Sequence, residues 1–331
     1  MEKVILGIDI SKVKIDVALL KANKFYNNVF ANSEVGFNEL KEWLRKNEIE
    51  TLHVAMEATG TYWENVAECL HKQGHIVSVI NPLAISAYSA SKLNRNKTDK
   101  QDAKTIASYC LSHNPVAWQP TEPKVALLQA LVRRLESLQI LQQEEKNRLE
   151  SAPKQANVVK SLEESINFFQ TQIDLMKKLI AEHIVNSPKL KSQKYLLVSI
   201  PGIADTTAAN LMAEIVNINN YENARQAAAY AGLTPQHRLS GSSVKGKTRL
   251  SKIGSSRLRK ILYFPAISAK QHNPLVNAFA QRLSLNGKHT MVIISACMRK
   301  LLHIIFGVLK SGKPFDPNFS PPFSHNSSLP A

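Results

Sequence analysis

Glycine, cysteine and acidic side chains are all scarce in this chain. Only 12 glycines occur in 331 residues, too few for the paired sets of glycine-rich phosphate loops that two-lobed nucleotide-binding folds require. Cys69, Cys110 and Cys297 are odd in number, widely separated and without CxxC spacing. They support neither a disulfide framework nor a zinc site, and read as buried small hydrophobes. No apolar run approaches the roughly 20 residues of a spanning helix, and "MEKVILGIDI" passes directly into a strand pattern with no room for a signal peptide. The expected location is therefore the cytoplasm, in association with the nucleoid, with no membrane partner. Acids are outnumbered, 26 Asp and Glu against 42 Lys and Arg, for a net charge of +16. A field of that sign attracts phosphate backbones, so nucleic acid is the expected partner.

The length is sufficient for two or three domains with cores of their own. "KVILGIDI", "KIDVALLKA" and "KFYNNVFA" read as three strands in meander. "SEVGFNELKEWLRKN" follows as a helix capped by Ser33. Then come "TLHVAMEA" as a buried strand, "GTYWENVAECLHKQG" as a helix closed by Gly74, and "HIVSVINP" as a strand stopped by Pro82. A meander followed by alternating helix and strand describes a mixed sheet covered by helices. From about residue 122 to 192 the composition shifts to Leu, Gln, Glu and Lys at helical spacing, broken once at Pro153. This predicts two long antiparallel helices, a coiled coil serving either oligomerisation or as a solvated spacer. Residues 193–312 read as a mainly helical unit. Its "LLVSIPGIADTTAANLMAEI" has the pattern of a helix-hairpin-helix, whose turn amides can approach a phosphate. The Pro- and Ser-rich residues 313–331 are expected to be a disordered tail. There is no internal repeat.

The stretch "KTDKQDAKTIA" sets Asp99 and Asp102 three apart among Lys97, Lys100 and Lys104. That spacing puts both carboxylates on one helical face, about 5 to 6 Å apart at Cβ. They read either as helix-opening acids that favour the dipole or as ligands sharing a divalent cation. Asp9 lies in the first strand and Glu57 at the end of the fourth, both after apolar runs where a carboxylate is costly without a partner. Either acid alone could be a satisfied hydrogen-bonding residue. All four converge on one sheet edge if the strand order is ribonuclease H-like. Four convergent carboxylates repel one another without a cation, and hard oxygen ligands suit Mg²⁺ or Mn²⁺. Two such ions about 3.5 to 4 Å apart would clamp the attacking and leaving oxygens of a phosphodiester. Lys97, Lys100 and Lys104 would then contact the nucleic-acid backbone. "GIDISKVKIDVALL" also looks like the phosphate hairpin of actin-like sugar kinases and ATPases, but no second half with glycine-rich loops follows it.

The other dense stretch is "GLTPQHRLSGSSVKGKTRLSKIGSSRLRKILYF". Ser240, Ser242 and Ser243 flank Gly241, and Lys245, Lys247, Arg249, Lys252, Arg257, Arg259 and Lys260 follow. Hydroxyls among so many cations suit a phosphate-lined groove, read either as a basic loop that holds nucleic acid or as a site where serine attacks a phosphodiester. No base adjoins the serine; His237 reads as a phosphate or backbone contact.

Taken in order, "GIDISK", "MEATGTYW", "INP", "NKTDKQDA", "IPGI", "AAYAGLTPQ", "SGSSVKGKTRLSKIGSSRLRK" and "LLHIIFGVLKSGKPFD" resemble the DEDD transposases of the insertion sequence one-ten family, also described as bridge-RNA-guided recombinases. The resemblance spans residues 3 to about 312. It implies a RuvC-like domain over 1–121, a coiled coil over 122–192 and a C-terminal transposase domain over 193–312. It further implies that Asp9, Glu57, Asp99 and Asp102 form the metal tetrad and that Ser240 is the nucleophile, with Ser242 as its near neighbour. Expected partners are DNA of the element ends and target, a structured guide RNA, and further copies of the chain as dimer to tetramer. In such an assembly one subunit supplies the acids and another the serine. A junction-resolving nuclease using metal-activated water and a non-catalytic nucleic-acid-binding regulator are the alternatives.

Overall fold

The structure, a computed structural model, describes residues 3–92, 98–151, 155–236, 239–240, 244–245 and 249–318, with only the backbone described at 239–240 and 244–245. The chain forms two compact units, one ending at Pro120 and the other beginning at Thr121.

In the first unit the elements run β1 (Ile5–Ile10), β2 (Lys14–Lys21), β3 (Lys24–Ala31), α1 (Glu34–Lys46), β4 (His53–Glu57), α2 (Glu64–Lys72), β5 (Ile76–Ile80), α3 (Pro82–Ser91) and α4 (Asp99–His113). The sheet order is β3-β2-β1-β4-β5. β1, β2 and β3 pair antiparallel, whereas β4 is parallel to both β1 and β5. This is the ribonuclease H-like order that the acids required.

Side chains alternate across each strand, and the central strands bury both faces. Leu6, Ile8, Val17, Leu19, Val54 and Met56 pack with Phe37, Leu40 and Leu44 of α1 and with Val66 and Leu70 of α2. On the other face Ile5, Leu20, Ala55 and Ile80 meet Ile85 of α3 and Ile106, Ala107 and Cys110 of α4. The helix α3 was not anticipated. "INP" reads as a strand stop, but the strand ends at Ile80, Asn81 accepts from the Leu83 amide at 2.9 Å, and Pro82 takes the first helical position. Proline suits that position because the amide it lacks would be unpaired there.

The seat of α4 is set by small residues. A Cβ added at Gly7 would stand 2.1 Å from the Ala103 carbonyl oxygen and 2.5 Å from the Ala107 amide nitrogen. The register partners of Gly7 are Ala18 on β2 and Ala55 on β4. The row Ala18, Gly7, Ala55 is thus a flat floor on which the backbone of α4 rests.

The second unit comprises α5 (Pro123–Glu150), α6 (Ala156–Val185), α7 (Pro188–Val198), α8 (Asp205–Glu214), α9 (Ala224–Tyr230), β6 (Pro235–Gln236), β7 (Leu239–Ser240), β8 (Val244–Lys245), β9 (Arg249–Leu250), α10 (Ser256–His272), α11 (Pro274–Leu285) and α12 (Thr290–Ser311). The long helices α5 and α6 run antiparallel, with the His183 ring bonded to the Lys124 carbonyl and the Gln142 amide donating to Ile166. On α5, Val125, Leu128, Val132, Leu135 and Leu138 are buried in one core with Leu197, Leu211, Leu262 and Leu301 of the later helices. The turn between α7 and α8 is seated on α10. Gly202 has φ +103°, and a Cβ there would stand 2.7 Å from the Ala269 amide nitrogen. Packing, as well as any phosphate contact, therefore calls for glycine in "IPGI".

The expectation that no segment matches a spanning helix needs correction. α12, at 22 residues, is long and apolar enough to cross a membrane by length and composition alone. Its Ile293, Cys297, Leu301, Leu302 and Ile305 are spent in the core of the unit. Residues 313–318, expected within the tail, are partly fixed, since the Phe315 amide donates to the Ser199 hydroxyl at 2.8 Å; 319–331 lie outside the described residues.

Gly7→Ala is expected to lower unfolding stability by about 1 to 3 kcal/mol through overpacking as α4 is lifted from the sheet. Denaturant titration checks this, and a variant as stable as wild type would refute the tight seat.

Candidate active site

One residue pair along from the floor of small residues lies a row of acids. Asp9 and Asp16 are register partners on β1 and β2. Met56 lies opposite Ile8, so Glu57 comes level with Asp9. Because alternate residues share a face, Gly7 and Asp9, Ala18 and Asp16, and Ala55 and Glu57 all point toward α4. The row therefore sits beside the first turn of α4, which carries Asp99 and Asp102. That turn opens on Thr98, whose hydroxyl accepts from the Gln101 amide at 3.3 Å. Helix-opening and clustering are thus both true of these two acids.

The electrostatics follow from this crowding. Burial first, then the charges of Asp102, Asp99, Asp16 and Glu57, push the Asp9 carboxyl up to about 6. The Thr59 hydroxyl donates to Glu57 Oε1 at 2.7 Å and fixes that side chain. Lys14 Nζ lies 2.9 Å from Asp16 Oδ2 and 2.8 Å from Asp99 Oδ2. Its hydrogen bond holds the Asp99 carboxyl below the usual carboxylate range.

Asp16 and Lys14 were not foreseen. The signal lay in the spacing: "GID", "DVA" and "AME" each place a small residue two positions from an acid, with the order reversed on the antiparallel strand.

The carboxylates fit a hard divalent cation in kind and in charge, and the Lys14 ammonium shows that a cation is held there. Among the described residues, however, no three His, Cys, Asp or Glu side chains stand close enough together to hold a metal ion. Of the five acids, Asp16 and Asp99 share the Lys14 ammonium, and the acids are not closed as a ligand cage.

The basic residues are placed variously. Lys100, Arg249 and Lys252 are exposed. The Lys104 ammonium lies over the Phe25 ring at 5.6 Å. Lys260 and Arg257 face Glu136 at 2.6 and 4.0 Å. Arg259 donates to the carbonyls of Ala231 and Gly254 at 3.0 and 3.3 Å, so it ties a loop together. Lys97, His237, Ser242, Ser243 and Lys247 lie outside the described residues, as do the side chains of Ser240 and Lys245. The backbone of Ser240 pairs with Val244 and that of Leu239 with Lys245. On either side of them in sequence, Gln236 pairs with Arg249 and Pro235 with Leu250.

A ribonuclease H-like sheet with acids on β1, β2 and β4, beside the acid-bearing first turn of α4, is a site suited to phosphodiester chemistry. A family model described as "Transposase", of DEDD type, matches residues 6–157, and one described as "Transposase IS116/IS110/IS902 family" matches residues 194–281. The pilin gene-inverting protein of Moraxella bovis is 36% identical over 320 residues, covering 96% of this chain and 98% of its own. The protein of the same name from Moraxella lacunata is 35% identical over the same shares. The chain belongs to the IS110 family of DEDD transposases, and with that membership comes a general dependence on divalent cations. The solved structure of T. thermophilus RuvC in complex with Holliday junction substrate aligns with 35% of this chain and 99% of its own, at 16% identity and a TM-score of 0.27.

The raised Asp9 carboxyl sets a pH dependence. Its ionisation opposes folding, so the stability it contributes is complete below pH 3.8 and is lost as pH rises through about 6. Asp9→Asn is therefore expected to be more stable than wild type above pH 6, by about 1 to 2 kcal/mol after discounting for solvent screening. The two should converge below about pH 4. Urea midpoints across pH 4 to 8 check this; a gap that widens toward acid would contradict the assignment.

Proposed function

We propose that this transposase breaks and rejoins DNA through a serine nucleophile, with divalent cations at the acid row and a structured RNA selecting the DNA partners. The observation that carries the reading is that Asp9 and Glu57 lie level on one face of the sheet, beside the first turn of α4 that bears Asp99 and Asp102, in a chain of net charge +16. These acids would hold Mg²⁺ or Mn²⁺, two ions per site, whose chemistry is to stabilise charge on the attacking and leaving oxygens of a phosphodiester.

Ser240 Oγ attacks the phosphorus and forms a phosphoserine ester while one deoxyribose oxygen leaves as a hydroxyl. A hydroxyl of the incoming strand then attacks that ester and restores the serine. Each step forms one P–O bond and breaks one, so no nucleotide cofactor is consumed. The DNA substrates are the element's own ends and a target, and the relatives named for pilin gene inversion point to rearrangement of a defined segment. RNA guidance enters from the family resemblance and suits a chain whose exposed cations can hold phosphate without reading bases.

Assembly as dimer to tetramer is part of this reading, the acids of one copy meeting the serine of another. On α6, exposed Phe168, Leu175 and Leu179 form an apolar stripe at coiled-coil spacing that a second copy can cover.

The test is a cleavage assay on element-end DNA with the copurified RNA sequenced in parallel. Wild type should form a covalent protein–DNA adduct that Ser240→Ala lacks. Asp9→Asn or Asp102→Asn should lose at least 100-fold in cleavage, in line with loss of a positioned catalytic group, with nucleic-acid binding retained. Metal-dependent cleavage without an adduct would favour water as nucleophile and a junction-resolving nuclease. Unchanged recombination in the acid variants would leave a binding regulator.

A further inference from the structure

The acid row carries its own cation. Among the described residues Lys14 is the one basic side chain within ion-pairing distance of any of the five acids, Asp9, Asp16, Glu57, Asp99 and Asp102. It reaches from the start of β2 to the first turn of α4, joining residues 85 apart in sequence. Its two partners differ in kind. Asp16 is 7% exposed and sits in the sheet, whereas the Asp99 side chain is 58% exposed on the helix turn.

We propose that Lys14 is a built-in counter-ion of the site, which neutralises Asp99 in the metal-free enzyme and cedes that carboxylate on metal binding, with Asp16 as its buried anchor. The inference rests on the metal reading above. Strands lie about 4.8 Å apart, so acids in one row repel strongly, and a cation among them lets the fold close before metal is present. An ammonium on a flexible four-carbon stem suits an exchangeable counter-ion, because it is a point charge without the fixed fork of a guanidinium. Asp99 is the exposed partner and can be released. Asp16 has no other ion-pair partner among the described residues, so it keeps the ammonium at the rim. Lys14 and Asp16 are positioning residues, since neither is assigned to the tetrad that would hold the metal.

The test is Mn²⁺ binding to the purified chain without DNA, followed by electron paramagnetic resonance of the free ion. Coulomb attraction over about 6 Å in water predicts that removing one positive charge tightens binding of a divalent cation by roughly fivefold to tenfold. Lys14→Met should therefore bind Mn²⁺ about fivefold more tightly while melting at a lower temperature without metal. Lys14→Arg keeps the charge and should bind as wild type. Asp16→Asn should weaken binding by a similar factor, and the double variant Lys14→Met with Asp16→Asn should return to the wild-type value.

Circular dichroism confirms the fold of each variant. If Lys14→Met folds and binds Mn²⁺ as wild type does, or more weakly, Lys14 is only a salt bridge and the inference fails. If wild type and Lys14→Met both bind no Mn²⁺, the metal reading itself fails.

Discussion

The contact on which the rest of the site depends is backbone against backbone. The peptide groups of Ala103 and Ala107 lie where any side chain at position 7 would have to be. Only a residue without Cβ lets a helix come so near a strand. That seat fixes the height and the direction of α4, and with them the position of its first turn. The acids need no separate device to find one another. Once the row Ala18, Gly7, Ala55 is small, the next row along the same face, Asp16, Asp9 and Glu57, comes beside the turn that bears Asp99 and Asp102.

The arrangement has an electrostatic cost, and the molecule offsets it in two ways. Part of the charge can be shed by protonation in mildly acidic solution, since burial and the neighbouring acids push the Asp9 carboxyl up to about 6. Part is neutralised by the shared ammonium of Lys14. Thr59 adds a hydrogen bond to Glu57, which strengthens a carboxylate that has no cation of its own among the described residues. A site of this kind is poised rather than relaxed: its acids are held together by packing, against their mutual repulsion.

Much of this was legible in the chain. Period-two runs gave the five strands, and the positions of Asp9, Glu57, Asp99 and Asp102 relative to those runs implied their convergence on condition of a ribonuclease H-like strand order. What escaped the reading was register. Asp16 looks like an ordinary acid near a strand end until β2 is laid antiparallel on β1, when it becomes the partner of Asp9. The helix α3 escaped because "INP" satisfies a strand stop and a helix start equally well. Arg259 escaped for a third reason. Within a run of cations it looks like one more phosphate contact, whereas its guanidinium is used by two backbone carbonyls.

The same distinction bears on how a chain of net charge +16 presents itself to DNA. Arg257 and Lys260 share Glu136, and Lys104 is drawn over Phe25. A count of basic residues therefore overstates the charge free to meet phosphate at these positions, while exposed Lys100, Arg249 and Lys252 remain. An acid row with a single ammonium repels a phosphodiester, so the attraction that brings DNA to the enzyme must come from cations elsewhere on the chain. The chemistry and the grip are thus separated by sign. Exposed cations can hold the polyanion by many weak contacts, whereas the acid row repels a phosphate until its own charge is balanced.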